Sequence, residues 1–552
     1  MTTVVIAEKP SVARDLARVL GASGKGKGYL HGGGYTVTWA IGHLVALAQP
    51  HEVDPAWKSW RRETLPMLPE RWPLVTLERT RSQYGVISRL LRAKETTAVI
   101  CATDAGREGE LIFRYIYDKV GCRKPVQRLW ISSLTPSAIK AGFARLQPSA
   151  RYDALADAAR GRSRADWLVG MNLSRAYSLV HDDKLSVGRV QTPTLAMLVA
   201  REREIERFVP EPYLTVVATF HPEGDEARAY EGTYFDPTIS TSKGAEGSPG
   251  GPALQSRLPP DGARAAEIIK RARRGRAAIA SIDRTTKRIP PPQLYDLTEL
   301  QRHANRLFGF SASKTLKLAQ QLYERDKLIS YPRTDSRHLS RDVAATLGPI
   351  TAAIGGRYPG LLAPGTGTSP LGHRFVDDAK VSDHHAIIPT AITPKSLDLA
   401  SPAGKIYDLI CRRLLSAWHD DHVTAVTKVI TAITSEPEGE PTIVDRYRTT
   451  GTDVLEIGWK KLDLPSSPRR RTSTSSSSSQ QPPALPPGLT VGQPQTVAKV
   501  GKHKGTTKPP PRYTEATLLT AMETAGRSLD DKALSDAMRD SGLGTPATRA
   551  AI

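Results

Sequence analysis

Two short apolar runs, each breaking into a charged loop and then a helical pattern, constrain this chain more than any other feature. The first is Val4 to Ala7, followed by Glu8 and Lys9 and then by Val12, Leu16, Val19 and Leu20 at helical spacing. Ser11 is placed to cap that helix and Gly21 to end it. The second run, TAVICAT, precedes Asp104-Ala105-Gly106-Arg107-Glu108 and the helix-like ELIFRYIYDKV. An apolar run followed by a helix is the unit of a sheet covered by helices, and such sheets place ligands beyond the carboxyl ends of their strands. Residues 1–150 are therefore expected to form an α/β domain, with acidic residues at its strand ends.

The remainder changes character several times, so the fold class expected is multidomain, α/β and α+β. Residues 151–212 read as helices and carry the basic stretch ARGRSRADWLVGMNLSRAYSLV and then KLSVGRVQTPTLAMLVAREREIERF. From 213 the pattern is strand-like (YLTVVATF), is interrupted by a Gly/Ser/Pro-rich insertion at 236–262, and resumes near AAIASIDRTTKR. Two helices follow over 297–325, the first with Leu297, Leu300, Ala304, Leu307 and Phe308 on one face, the second with Ala312, Leu316, Ala319 and Tyr323. They lead directly into LISYPRTDS. Alternating segments return around 421–447 and give way at 466–488 to SSPRRRTSTSSSSSQQPPALPPG, a composition that cannot bury a core. No fixed-period repeat is found, which argues against a solenoid.

At 552 residues the chain is far longer than one hydrophobic core requires, and 77 Lys plus Arg against 56 Asp plus Glu give a formal charge of +21, which favours polyanionic partners. Cys101, Cys122 and Cys411 are too few and too scattered for a disulfide framework or a CxxC zinc site, so a reducing cytoplasm fits best. No secretion signal or membrane span is found. The run Gly21 to Gly28 has P-loop-like glycine and lysine spacing. However, Gly28 stands at the Ser/Thr position and the run follows a helix, so a nucleotide site is not expected.

The chemistry centres on Ile329-Ser330-Tyr331-Pro332-Arg333-Thr334-Asp335-Ser336, a phenol and a guanidinium on a strand-to-loop turn fixed by proline. A phenol of pKa about 10 is a poor nucleophile unless cations stabilise the developing oxyanion, which Arg333 can do. Taken alone, the segment reads more readily as a partly buried strand tyrosine beside an arginine. Glu8, Asp104 and Glu108 form a carboxylate set of the kind that suits Mg²⁺, a cation that prefers oxygen ligands and keeps several waters.

These segments together resemble the type IA DNA topoisomerases, closest to the bacterial topoisomerase III branch. Two further stretches extend the resemblance, Ser186-Val187-Gly188-Arg189-Val190-Gln191-Thr192-Pro193-Thr194 and Ser382-Asp383-His384-His385-Ala386-Ile387-Ile388-Pro389-Thr390. The match runs in order along residues 1–552, insertions aside. The resemblance implies a Toprim domain at 1–150 and a toroidal body from the rest. That body would comprise a helical domain at 151–212 and 489–552, a β-rich arch at 213–283 and 405–488, and a domain bearing the tyrosine at 284–404. The stretch from Arg512 to Arg549 would close the helical domain beside the first sheet.

The resemblance also implies roles. Tyr331 attacks a backbone phosphorus and keeps the 5′ end, Glu8 handles a proton, Lys9 and Arg333 balance charge, and His384 positions the phosphate, with His385 structural. Glu8, Asp104 and Glu108 would hold Mg²⁺, for which Mn²⁺ is a candidate substitute, and no ATP is needed. Gly106 departs from the D-x-D-x-E metal motif by removing its middle carboxylate. Ser186, Val187, Gly188, Arg189, Val190, Gln191 and Thr192, with Arg164, Asp166 and Arg175, lie where the family grips single-stranded DNA, mostly through phosphate and sugar.

The expected partner is single-stranded or underwound DNA in the cytoplasm, at the nucleoid or on a plasmid. A helicase or single-strand-binding protein is a candidate partner of an enzyme expected to be monomeric. Two rivals stay open: a Toprim nuclease or primase without a tyrosine nucleophile, and a noncatalytic single-strand-binding protein. Family members continue past the TPATRAA stretch, so the chain is expected to be truncated at Ile552.

Overall fold

The computed structural model describes residues 1–131, 134–239, 253–381, 383–394, 397–436, 441–464, 485–528, 532–538 and 542–552. They form two compact units: Met1–Ala196, Pro292–Trp418 and Thr514–Ile552 in the first, and Met197–Pro291 and His419–Tyr513 in the second. No helix among the described residues is long and apolar enough to cross a membrane.

The first unit opens with a sheet of β1 (Thr2–Ala7), β2 (Gly24–Gly26), β3 (Tyr29–Gly32) and β4 (Tyr35–Trp39). A separate ribbon of β5 (Val45–Leu47) and β6 (Leu74–Thr76) follows, and the sheet resumes with β7 (Thr96–Ala102), β8 (Val126–Arg128) and β9 (Gln147–Pro148). The spatial order is β2-β3-β4-β1-β7-β8-β9, with β4, β1, β7 and β8 parallel. Val4 and Ile6 pack with Ile87, Leu91, Phe113 and Ile116 on one face, and Val5 and Ala7 with Val12, Ala13 and Leu16 on the other. Burial on both faces explains why these strands are unbroken apolar runs.

Ala7 pairs with Ala102, so the chain leaves β1 and β7 at the same level and the two charged loops start side by side. The helix Pro10–Leu20 ends, as expected, on Gly21 at φ 73. Its start differs from expectation. Lys9 is the N-cap, Pro10 with its preset φ takes the first turn, and Ser11 lies inside the helix, where it makes no cap.

Helices Leu297–Phe308 and Ala312–Glu324 form where the periodicity places them, capped by the Asp296 and Ser311 side chains. The segment from Thr514 packs on these two helices. Arg302 pairs with Glu523 at 2.8 Å, the Ala312 amide donates to Glu515 at 2.5 Å, and Leu519 and Ala550 share a small core with Ala312. Just before it, Arg512 pairs with Glu202 of the helix Gln191–Glu206 at 2.9 Å.

The second unit is a closed barrel of β10 (Pro212–Pro222), β11 (Tyr230–Phe235), β12 (Arg276–Ile289), β13 (His422–Ser435), β14 (Ile443–Glu456) and β15 (Pro494–Thr506). Val216, Phe220, Ile433 and Tyr447 fill it together with Ile268 of the helix Ala263–Arg274. Arg271 of that helix grips the buried Asp445 through two bonds, at 2.7 and 2.8 Å.

Three boundaries shift. Residues 494–506, assigned to the helical domain by sequence, are a barrel strand paired along β10. The helix Pro402–Leu415, partly assigned to the arch, belongs to the first unit. In the 236–262 insertion, Leu258 is buried and exchanges two backbone bonds with Leu214, so that end of it is packed structure. Residues 240–252 of the insertion, and 466–484 of the Ser/Pro-rich one, lie outside the described residues.

Candidate active site

The segment carrying Tyr331 is held by the HHAIIPT stretch rather than by a regular strand. The Ser330 amide donates to the Ile388 carbonyl at 2.8 Å, the Ser330 hydroxyl donates to the Ala386 carbonyl at 3.1 Å, and the Ile388 amide donates back to that hydroxyl at 3.0 Å. Thr334 Oγ1 donates to the His384 carbonyl at 2.9 Å. The lacing explains why two motifs some fifty residues apart, each unremarkable alone, share one site. It sets the Tyr331 and His384 rings 4.3 Å apart between centroids, and Tyr323 stands edge-on to Tyr331 at 5.4 Å. Ser382 lies outside the described residues.

The charged loops of β1 and β7 meet this phenol. Lys9 Nζ lies 3.9 Å from the Tyr331 ring centre, 2.5 Å from Asp104 Oδ2 and 3.6 Å from Glu8 Oε1. Asp104 also receives His384 Nε2 at 3.2 Å, and its amide donates to Glu8 Oε2 at 3.2 Å. Burial, aided by the Asp104 charge and opposed by Lys9, lifts the Glu8 carboxyl to about 7. Burial also disfavours charge on Asp104, but the His384 bond and the Lys9 ammonium outweigh it and hold that carboxyl below its usual range. Lys9 is moved the other way: burial opposes its charge, yet Asp104 and Glu8 keep it firmly protonated. Burial raises the Tyr331 phenol, and Lys9 offsets part of that rise.

Sequence reasoning missed Arg128, which fixes the Asp104 loop from beneath. Fully buried, it donates to the carbonyls of Thr103 and Asp104 at 2.7 Å each and of Cys101 at 3.2 Å, and it pairs with the buried Glu110 at 3.0 Å. Gly109 lets the chain close on itself here, since a Cβ there would stand 2.2 Å from the Asp104 carbonyl oxygen. No short motif signals such an arginine, because its partners are backbone oxygens. Gln320 was missed for a similar reason. With its amide oriented by the bonding pattern, its oxygen accepts from Arg333 Nη2 at 2.6 Å and Nε at 3.1 Å.

Glu108 does not join the carboxylates. It turns to His43 at 2.6 Å and toward Arg162 at 3.8 Å, and the His43 bond lowers its carboxyl. Among the described residues, no three His, Cys, Asp or Glu side chains are placed to enclose an ion. Glu8 and Asp104 remain as an adjoining pair, which fits Mg²⁺ in the manner usual for that cation, with one or two carboxylates completed by water and substrate phosphate. His385 is half-buried, its imidazole pushed down to about 4 by desolvation, and it is bonded to the Ala386 carbonyl, in keeping with a structural place. Asp383 sits between the Asp104 loop and the His384 segment, its carboxyl raised to about 6 by burial.

The residues expected to grip DNA divide. Arg164 is exposed and lies over the Trp72 ring at 5.3 Å, and Arg189 pairs at the surface with Asp166 at 2.8 Å. Ser186 accepts from Gln191 at 2.8 Å, and the Gly188 amide donates to Thr192 Oγ1 at 3.1 Å, which shapes the turn into the helix Gln191–Glu206. Val187 is tied to Ser174 at 2.9 Å, and Val190 accepts the Thr194 hydroxyl at 2.8 Å. Arg175 departs from the expectation. It is buried and donates to the Trp57 carbonyl at 2.7 Å, the position of a structural side chain.

Comparison with known proteins matches residues 150–552 to the family described as DNA topoisomerase and residues 3–134 to the Toprim domain. The DNA topoisomerase 3 of Shouchella clausii is 40% identical over 99% of this chain and 70% of its own length. That of Bacillus subtilis is 40% identical over 100% of this chain and 71% of its own. Among solved structures, full-length topoisomerase I from Thermotoga maritima superposes with a TM-score of 0.59 over 99% of this chain and 77% of that one. At 22% identity that likeness is one of fold.

Proposed function

Because the chain belongs to the type IA family of DNA topoisomerases and carries a Toprim domain, we propose that it cuts one DNA strand through Tyr331, passes a second strand and reseals the first without ATP. The observation that carries this reading is the meeting of three distant segments on one phenol, with Lys9 at 3.9 Å and the His384 ring at 4.3 Å.

In cleavage the Tyr331 oxygen forms a bond to phosphorus, the bond from phosphorus to the 3′ oxygen breaks, and the phenol proton leaves to solvent. Glu8, poised to be protonated near neutral pH, gives its proton to the departing 3′ oxygen and takes it back when that oxygen attacks the phosphotyrosine in resealing. Lys9 and Arg333 offset the charge that develops on the phosphoryl oxygens, the largest contribution available to a reaction of this kind. His384, fixed by Asp104, donates to a non-bridging oxygen. Held by Glu8 and Asp104, Mg²⁺ or Mn²⁺ would supply Lewis-acid alignment of the 3′ hydroxyl during resealing.

The substrate is single-stranded or underwound DNA, bound along Arg164, Asp166, Ser186, Arg189, Gln191 and Thr192. Charge on that surface makes binding salt-sensitive and weakly selective for sequence. The same substrate suits action at the nucleoid or on a plasmid alongside a helicase or single-strand-binding protein, and the proposal takes the enzyme as a monomer.

The test is denaturant-trapped adduct formation on labelled single-stranded DNA. The wild-type chain is expected to carry the 5′ fragment, whereas Tyr331→Phe should carry none while binding the same DNA within about twofold, since the ring contacts survive. Cleavage without a protein-linked 5′ end would instead favour a Toprim nuclease. Absence of both adduct and cleavage under every metal condition would leave a noncatalytic binding protein.

A further inference from the structure

Position 106 is glycine in a conformation that does not call for one. Its φ of −159 and ψ of 176 are extended values open to any residue. The space a side chain would take is instead filled by another side chain. A Cβ built at Gly106 would stand 2.1 Å from Asp383 Oδ2 and 2.4 Å from Asp383 Cγ and Oδ1, well inside the roughly 3.5 Å at which nonbonded carbon contacts become favourable. The group already filling that volume is a carboxylate. It arrives from the segment that carries His384, itself 3.2 Å from Asp104, and with Asp104, Ala105 and His384 it lines a cavity of about 30 Å³.

We propose that Asp383 takes the place of the side chain missing at position 106: the acid absent from the Toprim loop is delivered across the site by the tyrosine-bearing segment. The inference rests on Glu8 and Asp104 being the cation-holding pair. It does not rest on a gathering of acids but on one volume: a Cβ at 106 and the Asp383 carboxylate as it stands cannot share it, so one of the two must move. An acid fits at 106 or at 383, and the charge beside Asp104 is the same in either arrangement. Asp383 is thus a positioning residue for the cation and for His384, its immediate neighbour.

The experiment is a four-way exchange in the full chain, comparing wild type, Gly106→Asp, Asp383→Ala and the double variant. It reads Mn²⁺ affinity by electron paramagnetic resonance, relaxation of negatively supercoiled plasmid, and thermal melting. Asp383→Ala is expected to weaken Mn²⁺ binding about tenfold, the scale of effect seen when a supporting group at a metal site is lost. Gly106→Asp should suffer most, because it forces the Asp383 carboxylate aside and sets two like charges together, with relaxation falling about tenfold. The double variant should return Mn²⁺ affinity, relaxation and melting to within about threefold or a few degrees of wild type, far better than independent effects would allow.

A double variant no better than the worse single one overturns the proposal, and so does an Asp383→Ala chain that binds Mn²⁺ as wild type does. Asp104→Asn separates the two levels of the argument. If it weakens Mn²⁺ binding while Asp383→Ala does not, Asp383 alone is misassigned. If it leaves binding intact, the cation pair and the inference built on it fall together.

Discussion

Replacing Glu8 by glutamine should abolish the reaction and at the same time stabilise the protein at alkaline pH. The native Glu8 carboxyl is raised from 4.5 to about 7, chiefly by burial. A carboxyl raised on folding holds its proton more tightly in the native state than in the unfolded one, so stability falls as pH climbs between those two values. The full difference corresponds to roughly 3 kcal/mol above pH 8 and to about half of that at pH 5.5. The side chain is only 14% exposed, so solvent screening removes little of this. Glutamine is uncharged at every pH, and its amide oxygen can still accept the Asp104 amide, which now bonds Glu8 at 3.2 Å.

In metal-free buffer with chelator, Glu8→Gln should therefore melt a few degrees above wild type at pH 8.5. The gap should narrow by about 2 kcal/mol of unfolding free energy as the pH is lowered to 5.5. Urea unfolding followed by circular dichroism at a series of pH values measures it. A gap independent of pH, or a glutamine variant less stable at pH 8.5, would refute the claim that this carboxyl is held in its neutral form by burial.

Arg128→Met should cost about 3–5 kcal/mol in urea unfolding, because it strands the buried Glu110 carboxylate and frees three loop carbonyls. Gln320→Ala leaves Arg333 without the two bonds that aim it. It should slow single-turnover cleavage about tenfold with little change in DNA affinity, whereas equal losses in both would place Arg333 in ground-state binding. Arg189→Ala should lower the salt slope of single-stranded DNA binding by about one, and Arg175→Ala should lower thermal stability while leaving that slope unchanged.

Much of the first unit was legible because its signals are local. The runs Val4 to Ala7 and TAVICAT are buried on both faces and so carry no competing polar pattern. The ends of β1 and β7 follow from chain direction alone, which is why Glu8, Lys9 and Asp104 could be placed together, whereas Tyr331 joined them only through the family resemblance. Glu108 could not be placed, because its direction is set by His43 from a loop 65 residues earlier. Arg128 and Gln320 escaped because each acts through a partner remote in sequence. Arg175 misled because a basic residue in a basic helix looks exposed until Trp57 and Trp60 cover it. β15 was misassigned because its outward residues are lysine and histidine, so PQTVAKVGKHKGT resembles a charged linker until β10 pairs with it.

The lacing of Ser330 and Thr334 to the His384-to-Ile388 stretch determines where the site can come apart. The segments of Tyr331 and His384 are bound to one another by hydrogen bonds to backbone carbonyls, while Glu8, Lys9 and Asp104 adjoin the sheet strands β1 and β7. Contacts that cross between these pieces are made by side chains, among them Lys9 on the phenol, His384 on Asp104, Asp383 against Gly106 and Ser11 on Tyr323. Such a seam can part without opening one secondary-structure hydrogen bond. A 5′ end joined to Tyr331 would then travel with its histidine, while the 3′ end stayed with the acids that must later receive it. The two halves of a cut strand would thus each keep the groups needed to recognise the other.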